Sequence, residues 1–545
     1  MNASKQVSYL NTINHSFQKT LHSEIYVDKS GLLSMLNKKI GTENCYICVS
    51  RPRRFGKSVT AKMLAAYYGR EQNNADLFDA LTIAHDASYK KHLNKYNTIF
   101  INMADELVKS HKNVQLMLDS LSAKIINDLR VAYPQITFSN SKDLEQCLSE
   151  AFSYYGIFFV VIIDEWDCIM REKKDDVEGI RDYLDWLKLL LKDKAYIGLA
   201  YITGILPIKK YGTQSALNMF DEFNMLNPSM YAPYIGFTAS EVMDLCNKYH
   251  VDYMNMAKWY DGYSFPKAQH IYNPKSVVQA LDRGEFISYW TRSETFESLK
   301  SFVDMNFDGL REDIIKLLAN EDILINFTTF TNDMSSFATK DDVFTLLLHL
   351  GYLSLQTDED VLQKYPILDR DRMCLVHIPN QEIKNEFIST MYQNTHYAGV
   401  YDLIHDTNVL LNNIYTFNGD AVAKIFDKAH EEHTSILKYN DENSLACVIT
   451  LSLLLCCRDL YDVRRELPAG KGFADLVYIP KKGINKPALL IELKFDQSAQ
   501  SAIEQIKTKQ YTNFFANYCG DVLLVGINYN KKTKHHECLI EKFKQ

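Results

Sequence analysis

Residues 44–69 read NCYICVSRPRRFGKSVTAKMLAAYYG. A short apolar run meets a basic loop, and the loop opens into a helix-like segment: strand, loop, helix. Gly56-Lys57-Ser58 fill the last three positions of the phosphate-binding pattern G-x-x-x-x-G-K-[ST], and Arg51 stands where its first glycine would be. Such a loop curls backbone N–H groups around phosphates at a helix N-terminus. Arg53, Arg54 and Phe55 complete it. Gly56 lets the backbone approach, Lys57 supplies a cation near the outer phosphates, and Ser58 can hold Mg²⁺. A lone GKS tripeptide is a weak signal, but a strand before it and a helix after it are the context the chemistry needs. Arg51, Arg53 and Arg54 add positive charge there, either as anion contacts or as a face toward another domain.

Working outward, residues 97–103 (NTIFINM) predict a second strand and 114–132 a helix. GIFFVVIIDEWD at 156–167 is a continuous apolar run ending in acids, as expected of a strand buried on both faces. KAYIGLAYITG at 194–204 predicts another strand. Strands alternating with helices imply a parallel α/β sheet. Asp164 would hold Mg²⁺ through water, and Glu165 would polarise the attacking water. Thr203, at the next strand end, is either a γ-phosphate sensor or a plain strand-end threonine.

The chain has 545 residues, enough for three or four domains at roughly 150 residues each. No repeat, low-complexity segment or Pro/Gly/Ser-rich linker divides it. Residues 1–235 read as the nucleotide domain, 236–400 as a mostly helical middle region, and 401–545 as a separate mixed α/β unit. Within the middle, 335–375 suggests a small winged-helix-like or helical unit. The net charge of −8 excludes a global basic field, so any grip on nucleic acid must be local. The 11 cysteines show no paired CxxC motifs, and Cys45 and Cys48 read as small core residues. An odd cysteine count without a signal peptide fits a reducing cytoplasm. The apolar stretches 154–163 and 445–457 fall short of the roughly 20 residues that span a bilayer, so no membrane partner is expected.

In the last unit, Glu492 and Lys494 lie two apart in ALLIELKF, so on a strand they share a face. Their neighbours Leu490, Ile491, Leu493 and Phe495 are apolar. Burying charge costs several kcal/mol unless it is paired or metal-bound. Asp475 sits on the preceding strand, FADLVYIP, after a Gly470-Lys-Gly472 turn. Adjacent strands could bring Asp475 and Glu492 to one metal, with Lys494 beside the water; metal-assisted phosphodiester cleavage needs such hard carboxylates. Glu442 is either a further ligand or an N-terminal helix acid favoured by the dipole. Glu466 is a weaker candidate of the same kind. Gln505 and Lys509, four apart, share a helix face that either touches the site or is simply solvated. The stretch 531–536 (KKTKHH) reads as a basic tail, either a solvated loop or a contact to phosphates.

Together these motifs resemble a bacterial family that joins an N-terminal AAA-ATPase-like domain to a C-terminal PD-(D/E)XK nuclease-superfamily domain. The resemblance spans nearly the whole chain. It runs from Tyr26-Val-Asp28-Lys29 through RPRRFGKS, VVIIDEWD, Thr203-Gly204, GFTASEV (236–242), WYDGYSF (259–265), YNPKSV (272–277), SYW (288–290), LGYLSL (350–355) and PNQEIKNEF (379–387). It ends with DENSL, the Glu466…Gly472 turn, FADLVYI, IELKFD and EQIKTKQY. In the family the turn before the aspartate usually carries an arginine, where this chain has Phe473; that departure bears on a DNA or substrate contact, not on the metal ligands. The resemblance implies ATP binding with Mg²⁺ at the phosphate loop, a restriction-endonuclease-like site taking Mg²⁺ or Mn²⁺, and nucleic acid, above all DNA, as partner. ATP-coupled cleavage at Asp475, Glu492 and Lys494 is one expectation; a nucleotide-switched interaction protein with a non-cleaving nuclease fold is the other. Oligomer state is left open.

Overall fold

The computed structural model describes residues 9–11, 15–70, 74–208, 217–290, 295–303, 309–318, 320–331, 337–363, 369–392, 407–432, 460–469, 472–481, 483–509 and 520–543, with 305, 307, 365, 449 and 453 between them. The chain divides into two compact units: Met1–Trp290 with Leu324–Ile383, and Thr291–Ile323 with Lys384–Gln545.

The first unit is built on β1 (Tyr46–Ser50), α1 (Lys57–Tyr68), β2 (Asn97–Asn102), α2 (Val114–Ala132), β3 (Phe159–Asp164), α3 (Cys168–Glu172), α4 (Val177–Leu191), β4 (Ile197–Gly204) and β5 (Asp221–Phe223). The strands form one sheet in the order β2-β3-β4-β1-β5, every pair parallel. All six residues of β3 and all eight of β4 are buried, which explains their unbroken apolar runs. The helices present apolar residues at helical spacing. In α2 these are Met117, Leu118, Leu121, Ile125 and Leu129; in α4 they are Ile180, Tyr183, Leu187 and Leu190. Asn113 caps α2 by accepting the Leu116 N–H, and Asp176 caps α4 by accepting that of Gly179. Cys45 and Cys48 are buried at β1, and burial pushes the Cys45 thiol up to about 11.

The middle of the chain carries strands as well as helices. The Asp261-Gly262 interruption leads into an antiparallel pair, Tyr263–Phe265 with Ala268–Tyr272. Asn273 caps the helix Pro274–Arg283, whose proline occupies the first turn where no N–H is missed. Region 335–375 holds the helix Lys340–Leu350 and an antiparallel pairing of Ser354–Leu355 with Met373–His377. Glu382 ties this unit together. It is buried, and its carboxylate accepts from Ser276 Oγ (2.8 Å), Tyr289 N (2.7 Å) and Trp290 N (3.0 Å).

In the second unit, β6 (Tyr461–Ala469), β7 (Gly472–Pro480), β8 (Ala488–Phe495), α5 (Ala499–Thr508), β9 (Val522–Asn530) and β10 (His535–Lys542) form a five-stranded mixed sheet in sequential order. Only β8 and β9 are parallel, and α5 is their crossover. α5 lies so close to β9 that a Cβ at Gly526 would stand 2.4 Å from the Ala499 carbonyl oxygen, which only glycine permits. The stretch read as a basic tail is a turn followed by this fifth strand. In HHECLIEK the buried His536 and Ile540 lie four apart, as a period of two places them on one face, and the run of charge in front of the strand hid that alternation.

Glu382→Ala removes the carboxylate that accepts from the buried Tyr289 and Trp290 amides. We expect about 3 kcal/mol of destabilisation. Faster hydrogen exchange at those two amides checks it; unchanged protection there would contradict it.

Candidate functional site

At the carboxyl edge of the parallel sheet, register aligns the residues that carry chemistry. Thr203 of β4 pairs with Val49 on one side and Asp164 on the other. Asn102 of β2 lies across from Asp164, its Nδ2 3.5 Å from Asp164 Oδ2. The loop between β1 and α1 enters this edge. Gly56 precedes α1 with φ +91° and Arg54 has φ +72°, left-handed backbone that is costly for an arginine. Lys57 is buried, and its Nζ reaches back across the loop to donate to the carbonyls of Arg51 (2.9 Å) and Pro52 (2.8 Å). Burial pushes Lys57 down to about 8, opposed by the charges of Asp164, Asp167 and Glu165. Burial raises the Asp164 carboxyl above the usual carboxylate range, and the Ser58 hydroxyl and the Lys57 charge oppose that shift.

The three arginines of the loop part company. Arg51 is fully buried and points into the fold: Nη1 donates to Ser50 O (2.8 Å) and Phe223 O (3.1 Å), and the guanidinium lies over the Phe265 ring at 5.3 Å. Its Nε and Nη2 have no hydrogen-bond partner among the described residues, and burial lowers it to about 10. Arg51 therefore props the loop from beneath. Arg53 is half-buried and its carbonyl accepts from Asn273 Nδ2 (3.4 Å), Arg54 is exposed, and buried Phe55 packs edge-on against Tyr263.

Glu165 also has left-handed backbone (φ +53°). Its carboxylate meets Arg171 Nη2 at 3.0 Å, and Arg171 Nε meets Asp167 Oδ2 at 3.1 Å. Asp167 in turn accepts the amides of Ile205 (3.0 Å) and Leu206 (2.9 Å), fixing the turn after β4. A side chain at Gly204 would strike Asp167 Oδ1 at 2.6 Å and Trp166 Nε1 at 2.7 Å, so glycine is required there. Thr203 Oγ1 is buried beside this turn without a hydrogen-bond partner among the described residues. A cavity of about 140 Å³ adjoins Gly56, lined by Ile25, Val27, Val59, Met63 and Phe237 among others.

The second constellation lies in the mixed sheet. On β8, Ala488, Leu490, Glu492 and Lys494 alternate onto one face, and Ala488 and Leu490 join Ile503 and Ile506 of α5 in a core. Glu492 and Lys494 continue that face, both buried, with Nζ 3.6 Å from Oε1. Lys494 Nζ also donates to Leu493 O (2.8 Å), and Gln505 of α5 donates to Glu492 Oε1. The β7–β8 ladder ends at Leu476 opposite Ile491; one step further Asp475 Oδ2 accepts the Leu493 N–H (2.8 Å). Asp475, Glu492, Lys494 and Gln505 are thus brought together. Glu442 and Tyr511 lie outside the described residues, as does the side chain of Glu466. Among the described residues no group of three or more His, Cys, Asp and Glu converges as a metal site. No described helix is long and apolar enough to cross a membrane.

Residues 14–213 match the family described as a predicted AAA-ATPase, and residues 440–538 match the PD-(D/E)XK nuclease superfamily. The chain joins an AAA-ATPase-like domain to a PD-(D/E)XK nuclease-superfamily domain. The parallel sheet with its loop-helix junction has the P-loop NTPase fold, and the mixed sheet is nuclease-like. No curated protein matches. Among solved structures, the Aeropyrum pernix ORC2 protein in its ADPNP–ADP complexes is 11% identical over 69% of this chain and 99% of its own, with a TM-score of 0.32. The ORC1 protein of the same organism, in complex with DNA, is 11% identical over 68% and 95%, with a TM-score of 0.22.

Within the ATPase-like domain, sequence reasoning passed over Asn102, Asp167 and Arg171. The i,i+4 spacing of Asp167, just before the short helix, and Arg171 within it was the available signal.

Phosphates beside Lys57 would raise its pKa above the value of about 8 that burial sets. Binding then takes up a proton above about pH 8, and ATP affinity falls as pH climbs through that value. Calorimetry at about pH 8.5 in buffers of different ionisation enthalpy reads the uptake. Equal heats in all buffers would refute the assignment.

Proposed function

We propose that the chain is an ATP-binding, ATP-hydrolysing protein whose C-terminal domain cleaves nucleic-acid phosphodiesters with a divalent metal. The observation that carries this reading is the buried Glu492–Lys494 pair beside Asp475. Two charges on an otherwise apolar strand cost several kcal/mol in a purely structural role. A site that must meet a phosphate and a cation explains them.

The donor set suits a hard ion: two carboxylates from neighbouring strands, with no thiol or imidazole among them. Mg²⁺ or Mn²⁺, held by Asp475 and Glu492 with Glu442 as a further ligand, would supply a Lewis acid and an activated water. Asp475 is oriented for this by the Leu493 amide and Glu492 by the Gln505 side chain. Lys494, anchored on the Leu493 carbonyl, sets a cation beside Glu492 where phosphate charge develops.

In the ATPase-like domain, the loop Arg53–Ser58 would hold the phosphates, with Lys57 leaving its loop carbonyls for the outer ones. The Ser58 hydroxyl favours the charged form of Asp164, which suits a joint hold on Mg²⁺. Glu165 would polarise the attacking water once Arg171 releases it. Thr203 Oγ1, buried and unsatisfied at the strand end, would meet the terminal phosphate. The apolar cavity beside Gly56 would take the base. A setting in defence or DNA processing accords with this pairing of activities.

The test is a cleavage screen on labelled single- and double-stranded DNA and RNA, with Mg²⁺ or Mn²⁺, with and without ATP. Wild type should cut at least one substrate. Glu492→Gln and Lys494→Ala should each lower the rate by about 100-fold or more while retaining binding. Lys57→Ala should abolish ATP turnover. Cleavage unchanged in both nuclease-site variants, or none by wild type under any condition, sinks the reading.

A further inference from the structure

We propose that the turn between β9 and β10, residues 531–534, is a backbone clamp that grips the phosphates flanking the one at Lys494. The inference rests on the nuclease reading and adds the surface that would hold its substrate.

The turn carries Lys531, Lys532 and Lys534, all exposed, and none of them makes an ion pair among the described residues. Three other lysines of the domain are neutralised. Lys507 meets Glu541 at 2.6 Å, Lys542 meets Asp521 at 2.7 Å, and Lys494 meets Glu492. In a chain of net charge −8, three unpaired cations on four residues are a local concentration of the kind phosphate binding demands.

The turn is also held in shape. Asn530 Oδ1 accepts the amides of Lys532 (3.0 Å) and Thr533 (3.1 Å), and Asn530 O accepts that of Lys534 (2.8 Å). Lys531 N donates to Asp496 Oδ1 (2.6 Å), and Asp496 N donates to Tyr529 O (2.8 Å). Asp496 is two residues beyond Lys494, so the turn is fastened to the strand that carries the site. Asp496 bonds the turn, and Asp427 bonds the two histidines that follow it. Asp496 is engaged by the Lys531 amide, and Asp427 by His535 Nδ1 (3.0 Å) and by His536 N (2.7 Å) and Nδ1 (2.8 Å). Neither neutralises the lysine side chains.

Placement completes the argument. Lys494 is in register with Asn528 on β9, and Lys531 follows the strand's end, three residues beyond Asn528. At ~3.3 Å per residue that is about 10 Å. Phosphates of one B-form strand recur every ~3.4 Å along the helix axis and lie farther apart along the backbone, so the turn stands within about three phosphates of Lys494. A phosphodiester backbone whose reacting phosphate sits at Lys494 would bring its neighbours within reach of these lysines. The contacts would be to phosphate and would carry no base preference.

The experiment compares full-length wild type with the triple variant Lys531→Ala, Lys532→Ala, Lys534→Ala. Binding of a fluorescent duplex and a single strand is followed without divalent metal across 50–200 mM salt. Each lost contact should remove ~0.9 from the slope of log K against log salt for a duplex, or ~0.7 for a single strand. A total loss of about 2 to 3, with at least tenfold weaker binding at low salt, is expected. The corresponding triple Lys→Arg variant should restore the slope, which separates charge from misfolding. Lys507→Ala with Lys542→Ala, which removes only paired lysines, should leave it unchanged. A wild-type slope in the triple alanine variant overturns the clamp. So does wild-type protein that binds neither nucleic acid, which overturns the nuclease reading with it. Salt-sensitive binding lost with the lysines, but no cleavage with any metal, supports the clamp and overturns only the nuclease reading.

Discussion

Asp164 ends a strand that is buried along its whole length, and everything around the strand ends answers to that placement. A carboxylate there loses its water, and its pKa rises accordingly. What keeps it useful comes from the neighbours: the Ser58 hydroxyl, the Lys57 charge and the Glu165 amide at 3.1 Å. The same constraint shapes the second unit. Glu492 continues a face whose earlier positions, Ala488 and Leu490, are packed under α5, and Gln505 from that helix meets it. In both places a buried strand delivers an ionisable group to a point where packing has stopped, and polar partners from adjacent elements hold it there.

The departure at Arg51 shows how a pattern can change without its site dissolving. The first glycine of the phosphate pattern allows a tight turn. Here an arginine turns inward, bonds the carbonyls of Ser50 and Phe223, and lies over Phe265. The loop is supported from below by a side chain, while Gly56 and Lys57 keep their places on its upper side. The two guanidinium nitrogens left without partners are a standing cost, and packing against aromatic rings offsets part of it.

Glu165 is restrained twice. Its backbone is left-handed and its carboxylate is paired with Arg171, which Asp167 holds in turn. Asp167 also fixes the turn after β4, next to Thr203. A ligand that draws Arg171 would therefore disturb one connected set of hydrogen bonds, from Glu165 through Arg171 and Asp167 to the turn after β4.

Read alone, the amino-acid sequence determined the periodic features. The helix at 114–132 and the strands around Cys48, Ile99, Ile162 and Ala200 follow from runs whose period matches their burial, because hydrophobic spacing is local. It also placed Lys57 and Ser58 at a strand-loop-helix junction, and Glu492 and Lys494 on one face, since both depend only on neighbours in the chain. Only the tertiary structure decided which groups from distant segments meet. It set β4 between β1 and β3, turned Arg51 inward, paired Arg171 with Glu165, and brought Asp475 to the Leu493 amide and Gln505 to Glu492. It also made a strand of the apparent tail, leaving Lys531, Lys532 and Lys534 on a fastened turn that begins three residues beyond Asn528, the register partner of Lys494. Strand order and long-range pairing arise from packing many elements at once, and no local window of residues contains that information.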